Sequence, residues 1–301
     1  MFEFRVIRCL KYQYSEKNSN IATSKKMRTV FEILPSSFDP EACWLLCEVS
    51  NEGFSFCIKD EEKNSFLGLG IYHFDKNKPP VGFPIALQIV FHQKEILSKK
   101  FKKVCVVYSF RESVLIPFSL YDRQKDSTLM NMMFGDLNPN QTILTDVIAD
   151  KAVYNTYRVS TAISEVIENQ FTGASSMHQY SLLMKKPGIE SDHLSIIFYA
   201  QKVIVCLIKD GKHQLVNTFN YQTPEDVSYV LLDICDQFKI ANAHLLISGL
   251  IEENSPLYKE IYKYFNEIEF AGLPEGNLYS KEITKFPSHY FSYIFAIDQC
   301  E

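Results

Sequence analysis

Two stretches of the chain carry the same pattern of apolar and polar positions. In residues 44–74, three short runs alternate between apolar and polar side chains, and polar turns at 50–53 and 60–65 separate them. Alternation with a period of two is typical of β-strands that bury one face. The pattern therefore predicts a three-stranded antiparallel meander of half-buried strands.

The second stretch, residues 193–221, repeats this pattern. Cys-Ile-Lys-Asp at 57–60 is echoed by Cys-Leu-Ile-Lys-Asp at 206–210, and Tyr-His-Phe at 72–74 is echoed by Phe-Asn-Tyr at 219–221. We interpret the two stretches as duplicated meanders, each of which opens one lobe of a two-lobed protein.

The residues between and after the meanders predict the remaining elements. Thr223 and Pro224 indicate a helix start, because threonine caps a helix and proline suits its first position. Residues 243–248 are almost wholly apolar, which is typical of a buried parallel strand. Further helices are predicted at 84–98, after Ser160 or Thr161, after Ser255 and after Ser288, further strands at 103–109, 113–120 and 267–271, and a hairpin at 142–149 and 152–159.

These elements give the second half the order βββ-α-β-α-β-α, which is that of a ribonuclease-H-like lobe. Two such lobes in one chain form the actin-like architecture, so we predict an α/β fold with two mixed sheets and helices packed on them. Residues 1–26 are predicted to be a flexible extension, because residues 15–26 have no periodicity. The first lobe is predicted at 27–160 and the second at 161–301.

Composition narrows the class of protein. The chain has 301 residues, a net charge of −5, and arginine only at positions 5, 8, 28, 111, 123 and 158, which argues against a nucleic-acid-binding role. None of the eight cysteines forms a C-x-x-C pair, so we expect reduced thiols in a cytoplasmic protein. No apolar run approaches the roughly 20 residues that a membrane-spanning helix needs.

Three short motifs carry a resemblance to a known family. The sequences EGFSFCI at 52–58, SGLIEENSPLY at 248–258 and PSHYFS at 287–292 resemble an uncharacterised bacterial family, a domain of unknown function associated with the actin-like ATPase fold. The resemblance covers roughly residues 27–300. The insert near 142–171 also resembles the cytoplasmic pilus-assembly and secretion proteins of the actin-like class. The resemblance implies the fold and leaves the activity open.

It also implies where a nucleotide site would lie. In actin-like ATPases the first turn of each meander forms a phosphate loop, which needs an aspartate at the strand end followed by glycine and a small hydroxyl residue. In the first lobe, Glu48 stands for the aspartate, Ser50 replaces the glycine, and Gly53 follows. Glu52 would repel a phosphate. Glu48 is also the one acid that we can place for a ribonuclease-H-type nuclease, so we discount that reaction.

The second lobe departs further from a phosphate loop. Residues 197–202 contain no carboxylate and no glycine, and we expect Phe198 and Tyr199 to fill the phosphate space. Ser248 and Gly249 match the adenosine-loop position, although Gly249 is better explained as the end of a strand. The candidate cofactor-binding positions are Glu48, Ser50, Gly53, Ser248 and Gly249, and no catalytic residue or metal ligand is predicted.

Two functions remain open from the sequence. The favoured hypothesis is a binding or assembly scaffold without nucleotide hydrolysis and without a cofactor, acting on an unidentified protein partner or on a second copy of itself. Aromatic residues make up 14% of the chain, and tyrosine and phenylalanine are enriched at interfaces. The alternative is a divergent nucleotide-binding ATPase or small-molecule kinase, in which Glu48 holds Mg²⁺ and Gly249 lies near the adenine of ATP. The sequence leans against an enzyme.

Overall fold

A computed structural model describes residues 28–74, 82–185 and 192–299. The predicted N-terminal extension, residues 1–26, lies outside this described part. The strands are β1 (Arg28–Ile33), β2 (Cys43–Ser50), β3 (Gly53–Asp60), β4 (Ser65–His73), β5 (Lys103–Ser109), β6 (Ser113–Pro117), β7 (Gln141–Ile148), β8 (Val153–Ser160), β9 (Ser175–His178), β10 (His193–Phe198), β11 (Lys202–Lys209), β12 (Lys212–Asn220), β13 (His244–Gly249), β14 (Glu267–Phe270) and β15 (Leu278–Tyr279). The α-helices are α1 (Phe83–Gln93), α2 (Asp126–Phe134), α3 (Thr161–Gln170), α4 (Gln179–Lys185), α5 (Pro224–Gln237), α6 (Pro256–Tyr262) and α7 (Ser292–Phe295).

Two large sheets share one strand order. The first runs β1-β4-β3-β2-β5-β9, with β15 paired to β4, and the second runs β12-β11-β10-β13-β14. In both, one later strand, β5 or β13, pairs in parallel with the meander's first strand, β2 or β10, and a further strand, β9 or β14, pairs in parallel with that one. The duplicated meander is therefore confirmed, as is the predicted order of strands and helices in the second half.

Both faces of each meander's first strand are covered. In β2, Cys43, Leu45 and Cys47 face an outer core, whereas Trp44 and Leu46 face the core between the two sheets. All eight residues of β2 are buried, as are all eight of β3. Our prediction of half-buried strands was wrong for these two, because helices and the opposite lobe cover the polar positions as well.

Helices cover the outer face of each sheet. α1 and α3 pack on the first sheet, and α5 and α6 pack on the second. Thr223 caps α5, as the sequence predicted, and it forms a reciprocal capping box with Asp226. The helix predicted at 84–98 is shorter, since α1 ends at Gln93 and a 3₁₀ turn follows. The final helix is also interrupted, because Phe291 leaves helical geometry between a 3₁₀ turn and α7.

A three-stranded antiparallel sheet, β6-β8-β7, forms an insert between the lobes' main elements. It contains the predicted hairpin, which turns through a 3₁₀ segment at Ala149–Lys151 and a left-handed residue, Ala152, at φ +52°. Helix α2 follows β6 and contributes Phe134 to a cavity that this sheet shares with the second lobe. In the described part of the chain, no helix is long and apolar enough to cross a membrane.

Two elements that follow the predicted boundary at residues 160 and 161 join the first sheet. α3 packs on the first sheet, and β9 pairs in parallel with β5 as the last strand of that sheet. The C-terminal region also returns to the first lobe, since β15 pairs with β4 and Lys59 Nζ donates to Asp298 Oδ2 at 2.6 Å. Sequence patterning assigns elements to helices and strands but does not show which sheet they join.

His178 ties the first sheet to the insert and to α4. It is fully buried, its Nε2 donates to the Phe110 carbonyl oxygen at 2.8 Å, and its Nδ1 accepts from the Tyr180 backbone N–H at 3.1 Å. Both ring nitrogens are therefore used by the neutral imidazole. Burial lowers the pKa of His178 to about 3, because the charged form would lose its hydration.

His178→Gln should make folding stability less sensitive to acid. The pKa of His178 is lower in the folded chain than the roughly 6.5 of a free imidazole. Its contribution is therefore complete above about pH 6.5 and is lost as the pH falls toward 3, by up to about 5 kcal/mol. The free energy of unfolding, measured in urea between about pH 7 and pH 4, should change less with pH for His178→Gln than for the wild type. The exposed His92→Gln variant should keep the wild-type slope, and equal slopes for all three proteins would contradict this role of His178.

Candidate functional site

The carboxyl ends of β2 and β10 meet between the lobes. Alternation along β2 directs Glu48 to the same face as Trp44 and Leu46, toward the second lobe. Tyr199 follows β10 directly and belongs to the same interlobe core. Because both strands are the first of their meanders, the turns that would be phosphate loops in an actin-like ATPase lie opposite each other.

Glu48 is held by the second lobe. Its side chain is 3% exposed, and Tyr199 Oη donates to its Oε1 at 2.6 Å. Burial raises the pKa of Glu48, while attraction to the Lys202 ammonium and the hydrogen bond from Tyr199 oppose that rise. A carboxyl group in this setting is satisfied by the protein itself.

Lys202 lies on the other side of Tyr199. Its Nζ donates to the backbone oxygen of Ser109 at 2.8 Å and to the Ser109 Oγ at 3.1 Å, and it sits 4.5 Å from the centre of the Tyr199 ring. Burial lowers the pKa of Lys202, and attraction to Glu48 and Glu52 opposes this effect. The buried polar groups thus form one network that joins β2, β5, β10 and β11.

Glu52 makes the most informative contact. Its carboxylate accepts hydrogen bonds from the backbone N–H groups of Ala200 at 2.9 Å and Gln201 at 3.1 Å. These amides belong to the β10–β11 turn, the position that the resemblance assigns to the second phosphate loop. A carboxylate from the first lobe therefore lies where backbone amides would otherwise receive a phosphate.

Sequence reasoning missed this contact. It treated Glu52 only as a charge that repels phosphate, and it did not pair Glu52 with the opposite turn. The available signal was an acidic residue in one meander turn facing a turn that has no acid of its own. It indicates a contact between Glu52 and the opposite turn only once the structure shows that the two turns meet.

The space left between the turns is small. A cavity of about 20 Å³ is lined by Glu48, Ser50, Gly53, Tyr199 and Tyr293, among others. Such a volume holds about one water molecule, whereas ligand pockets measure roughly 300–1,000 Å³. The ring of Tyr199 packs edge-on against that of Tyr293, with 5.4 Å between centroids. Tyr199 fills the gap as predicted, but Phe198 does not, because alternation turns it into the outer core beneath α5.

The structure brings three of the five predicted positions together. Glu48, Ser50 and Gly53 line the small cavity, and the Ser50 Oγ accepts from the Glu52 backbone N–H at 3.2 Å. Ser248 and Gly249 lie at the end of β13, beside β10, and are not among the residues lining that cavity.

Local packing accounts for Gly249. It adopts φ +86°, and a Cβ atom there would lie 2.2 Å from the backbone oxygen of Phe198. The Ser248 Oγ donates to the Ile196 backbone oxygen at 3.3 Å. These contacts agree with the interpretation of Gly249 as a strand end, and its role in adenosine binding stays a prediction. Over the described ranges, no group of three or more His, Cys, Asp or Glu side chains is arranged to hold a metal ion.

A family model described as "Protein of unknown function (DUF3822)" matches residues 36–268. No curated protein matches the sequence. A Bacteroides thetaiotaomicron protein, described as having an actin-like ATPase fold and unknown function, superposes with a TM-score of 0.68 at 18% identity, over 77% of this chain and 91% of that one.

Two further structures are similar at lower scores. The PilM–PilN type IV pilus biogenesis complex gives a TM-score of 0.54 at 11% identity, over 87% of this chain and 100% of the other. The cytoplasmic domain of EpsL, from the type II secretion system of Vibrio cholerae, gives 0.46 at 10% identity, over 86% and 95%. The match to the Bacteroides protein confirms the predicted actin-like ATPase fold with its two ribonuclease-H-like lobes.

Tyr199→Phe should destabilise the protein. The substitution keeps the ring and removes the hydroxyl group, so a buried oxygen of Glu48 loses its donor, which costs about 1–3 kcal/mol. The free energy of unfolding in urea measures this loss. Tyr229→Phe is the matched control, because Tyr229 is 72% exposed on α5 and its change should stay within about 0.5 kcal/mol. Equal stabilities of the two variants would show that the contact contributes nothing.

Proposed function

This chain belongs to the DUF3822 family of proteins of unknown function, and we propose that it is a binding or assembly scaffold that neither binds nor hydrolyses nucleotide. In this proposal the actin-like fold supplies a rigid two-lobed body. The cleft between the lobes is part of the core and is not a ligand site. The protein then acts through surfaces outside the cleft.

The contact of Glu52 with the β10–β11 turn carries the proposal. Phosphate and carboxylate compete for the same backbone donors, and here both amide groups already bond to Glu52 within one chain. A nucleotide would have to displace this carboxylate and accept its negative charge nearby. It would also have to displace the ring of Tyr199 from the interlobe core, where the side chain is 5% exposed.

The alternative of an ATPase or small-molecule kinase requires an available acid. Mg²⁺ is bound by ionised carboxylates that keep room for water and phosphate oxygens. Glu48 instead has its pKa raised by burial and bonds to Tyr199. Burial makes the ionised form of Glu48 more costly, and its surroundings leave space for about one water molecule.

The proposal of a protein partner has support from the fold. The match within the PilM–PilN structure is to part of a protein complex, so this fold is found in an assembly role elsewhere. The described cysteines form no disulfide and are buried, so none of them offers an exposed thiol for chemistry. We propose an assembly role for this chain on the same grounds.

Millimolar ATP with Mg²⁺ should leave the melting temperature of the protein unchanged. A ligand present at about 100 times its Kd stabilises the folded state by about 2.7 kcal/mol, which would raise the melting temperature by several degrees. Differential scanning fluorimetry with ATP and Mg²⁺, against Mg²⁺ alone, measures the shift. A fluorescent ATP analogue provides a second, direct reading.

The decisive control uses two acidic positions. If ATP produces a clear shift that Glu48→Ala abolishes and the exposed Glu253→Ala keeps, the cleft binds nucleotide and the scaffold proposal is wrong. If ATP does not shift the melting temperature of the wild type, the ATPase and kinase alternatives are contradicted, because both require ATP binding. A shift that both variants keep would place a nucleotide outside the cleft and would also contradict the proposal.

A further inference from the structure

A second cavity, of about 430 Å³, lies between the insert and the second lobe. Its walls come from β6, the start of β8 and the end of α2 on one side, and from α4 and β12 on the other. The volume falls within the range of ligand sites, roughly 300–1,000 Å³. It is therefore large enough for several side chains, unlike the space between the meander turns.

The cavity follows strand edges. Residues 213–217, five in succession on β12, line it. Successive residues of a strand point to opposite faces, so a cavity touching every residue in a run lies along the strand's edge. β12 is an edge strand of the second sheet, and β6 is an edge strand of the insert; among the described strands, each pairs with one neighbour only.

Unpaired strand edges invite an added strand. An edge strand presents backbone N–H and C=O groups that a further extended segment can bond. β6 is the poorer template, because Pro117 at its end has no N–H. β12 contains no proline and is nine residues long, so it offers the longer and more complete edge.

The residues that line the cavity indicate which side chains an added segment would carry. Most lining residues are apolar, among them Val114, Leu115, Phe134 and Leu215, and Met133 is 59% exposed. Arg111 is the one residue with a permanent charge among the described lining residues, and no carboxylate lines the cavity, although the whole chain has a net charge of −5. Arg111 is exposed, and the carboxylate next to it in the sequence, Glu112, is ion-paired to Arg158.

We propose that this cavity docks an extended segment of a partner protein, which adds to the β12 edge as a further strand and places apolar side chains in the cavity and a carboxylate beside Arg111. The inference rests on the proposed scaffold function and names the class of partner. Backbone hydrogen bonds to β12 would supply affinity, and the apolar wall and Arg111 would supply specificity. The nucleotide cleft takes no part in this contact.

Selection from a library of random octapeptides on the full chain tests the proposal. We expect enriched peptides with alternating apolar residues and at least one acidic residue. A fluorescent synthetic copy of the best peptide should bind with an affinity that falls as salt is added. Its backbone contacts can be read by hydrogen exchange, in which those amides of residues 213–217 that point away from β11 should gain protection and those of the edge strand β14 should not.

Two pairs of matched variants locate the site. Met133→Glu and Arg111→Glu each add negative charge to the cavity, so both should weaken binding at least about tenfold. Met132→Glu and Arg123→Glu change the same residue types at exposed positions that do not line the cavity, and these variants should bind as the wild type does. All four positions are partly or fully exposed, so the variants should fold.

Three results would overturn the inference. The first is that no peptide is enriched, and the second is that enriched peptides bind all four variants equally. The third is that dodecanoate binds in the cavity and no peptide does, which would indicate a small apolar acid as the occupant. None of these results depends on the nucleotide test, so failure of this inference and failure of the proposed function are distinguishable.

Discussion

The contact that the rest of the structure depends on is the one between the two meander turns. A carboxylate from one turn bonds to two backbone amides of the other, and a buried network of Glu48, Tyr199 and Lys202 lies beneath it. Buried polar groups stabilise a fold only when all of them are bonded. Here they are bonded to each other across the lobes, so the polar residues of an interlobe cleft have become part of the core.

The fold was largely predictable from local patterns. The strand predicted at 103–109 coincides with β5, since an unbroken run of β-branched and apolar residues with clear ends has few alternatives. The start of α5 was predictable because its signals are local: the Thr223 side chain caps the first turn, and Pro224 occupies the first helical position. The sheet that α3 and β9 join was not, because it is decided by contacts between elements distant in sequence.

Local patterns also predicted part of the candidate site. Alternation along β2 and β10 determines which residues face the cleft, and the sequence alone identified Tyr199 as filling it. Phe198 precedes Tyr199, so the same alternation turns it away from the cleft. The prediction that both rings fill the cleft did not take this into account. The bond from Glu52 to Ala200 spans 148 residues, and no local pattern describes such a pair. One chain contributes both halves of the contact, so the backbone donors of Ala200 and Gln201 are satisfied without a ligand.

The return of the C-terminal region to the first sheet has a consequence for motion. In two-lobed proteins that exchange a ligand, the lobes turn about a hinge and the cleft widens. Here β15 is a strand of the first sheet, and Asp298 is ion-paired to Lys59 on β3. Turning the lobes apart would break backbone hydrogen bonds within a sheet as well as contacts between surfaces. The C-terminal region therefore holds the two lobes together, and we expect the protein to unfold in a single cooperative transition.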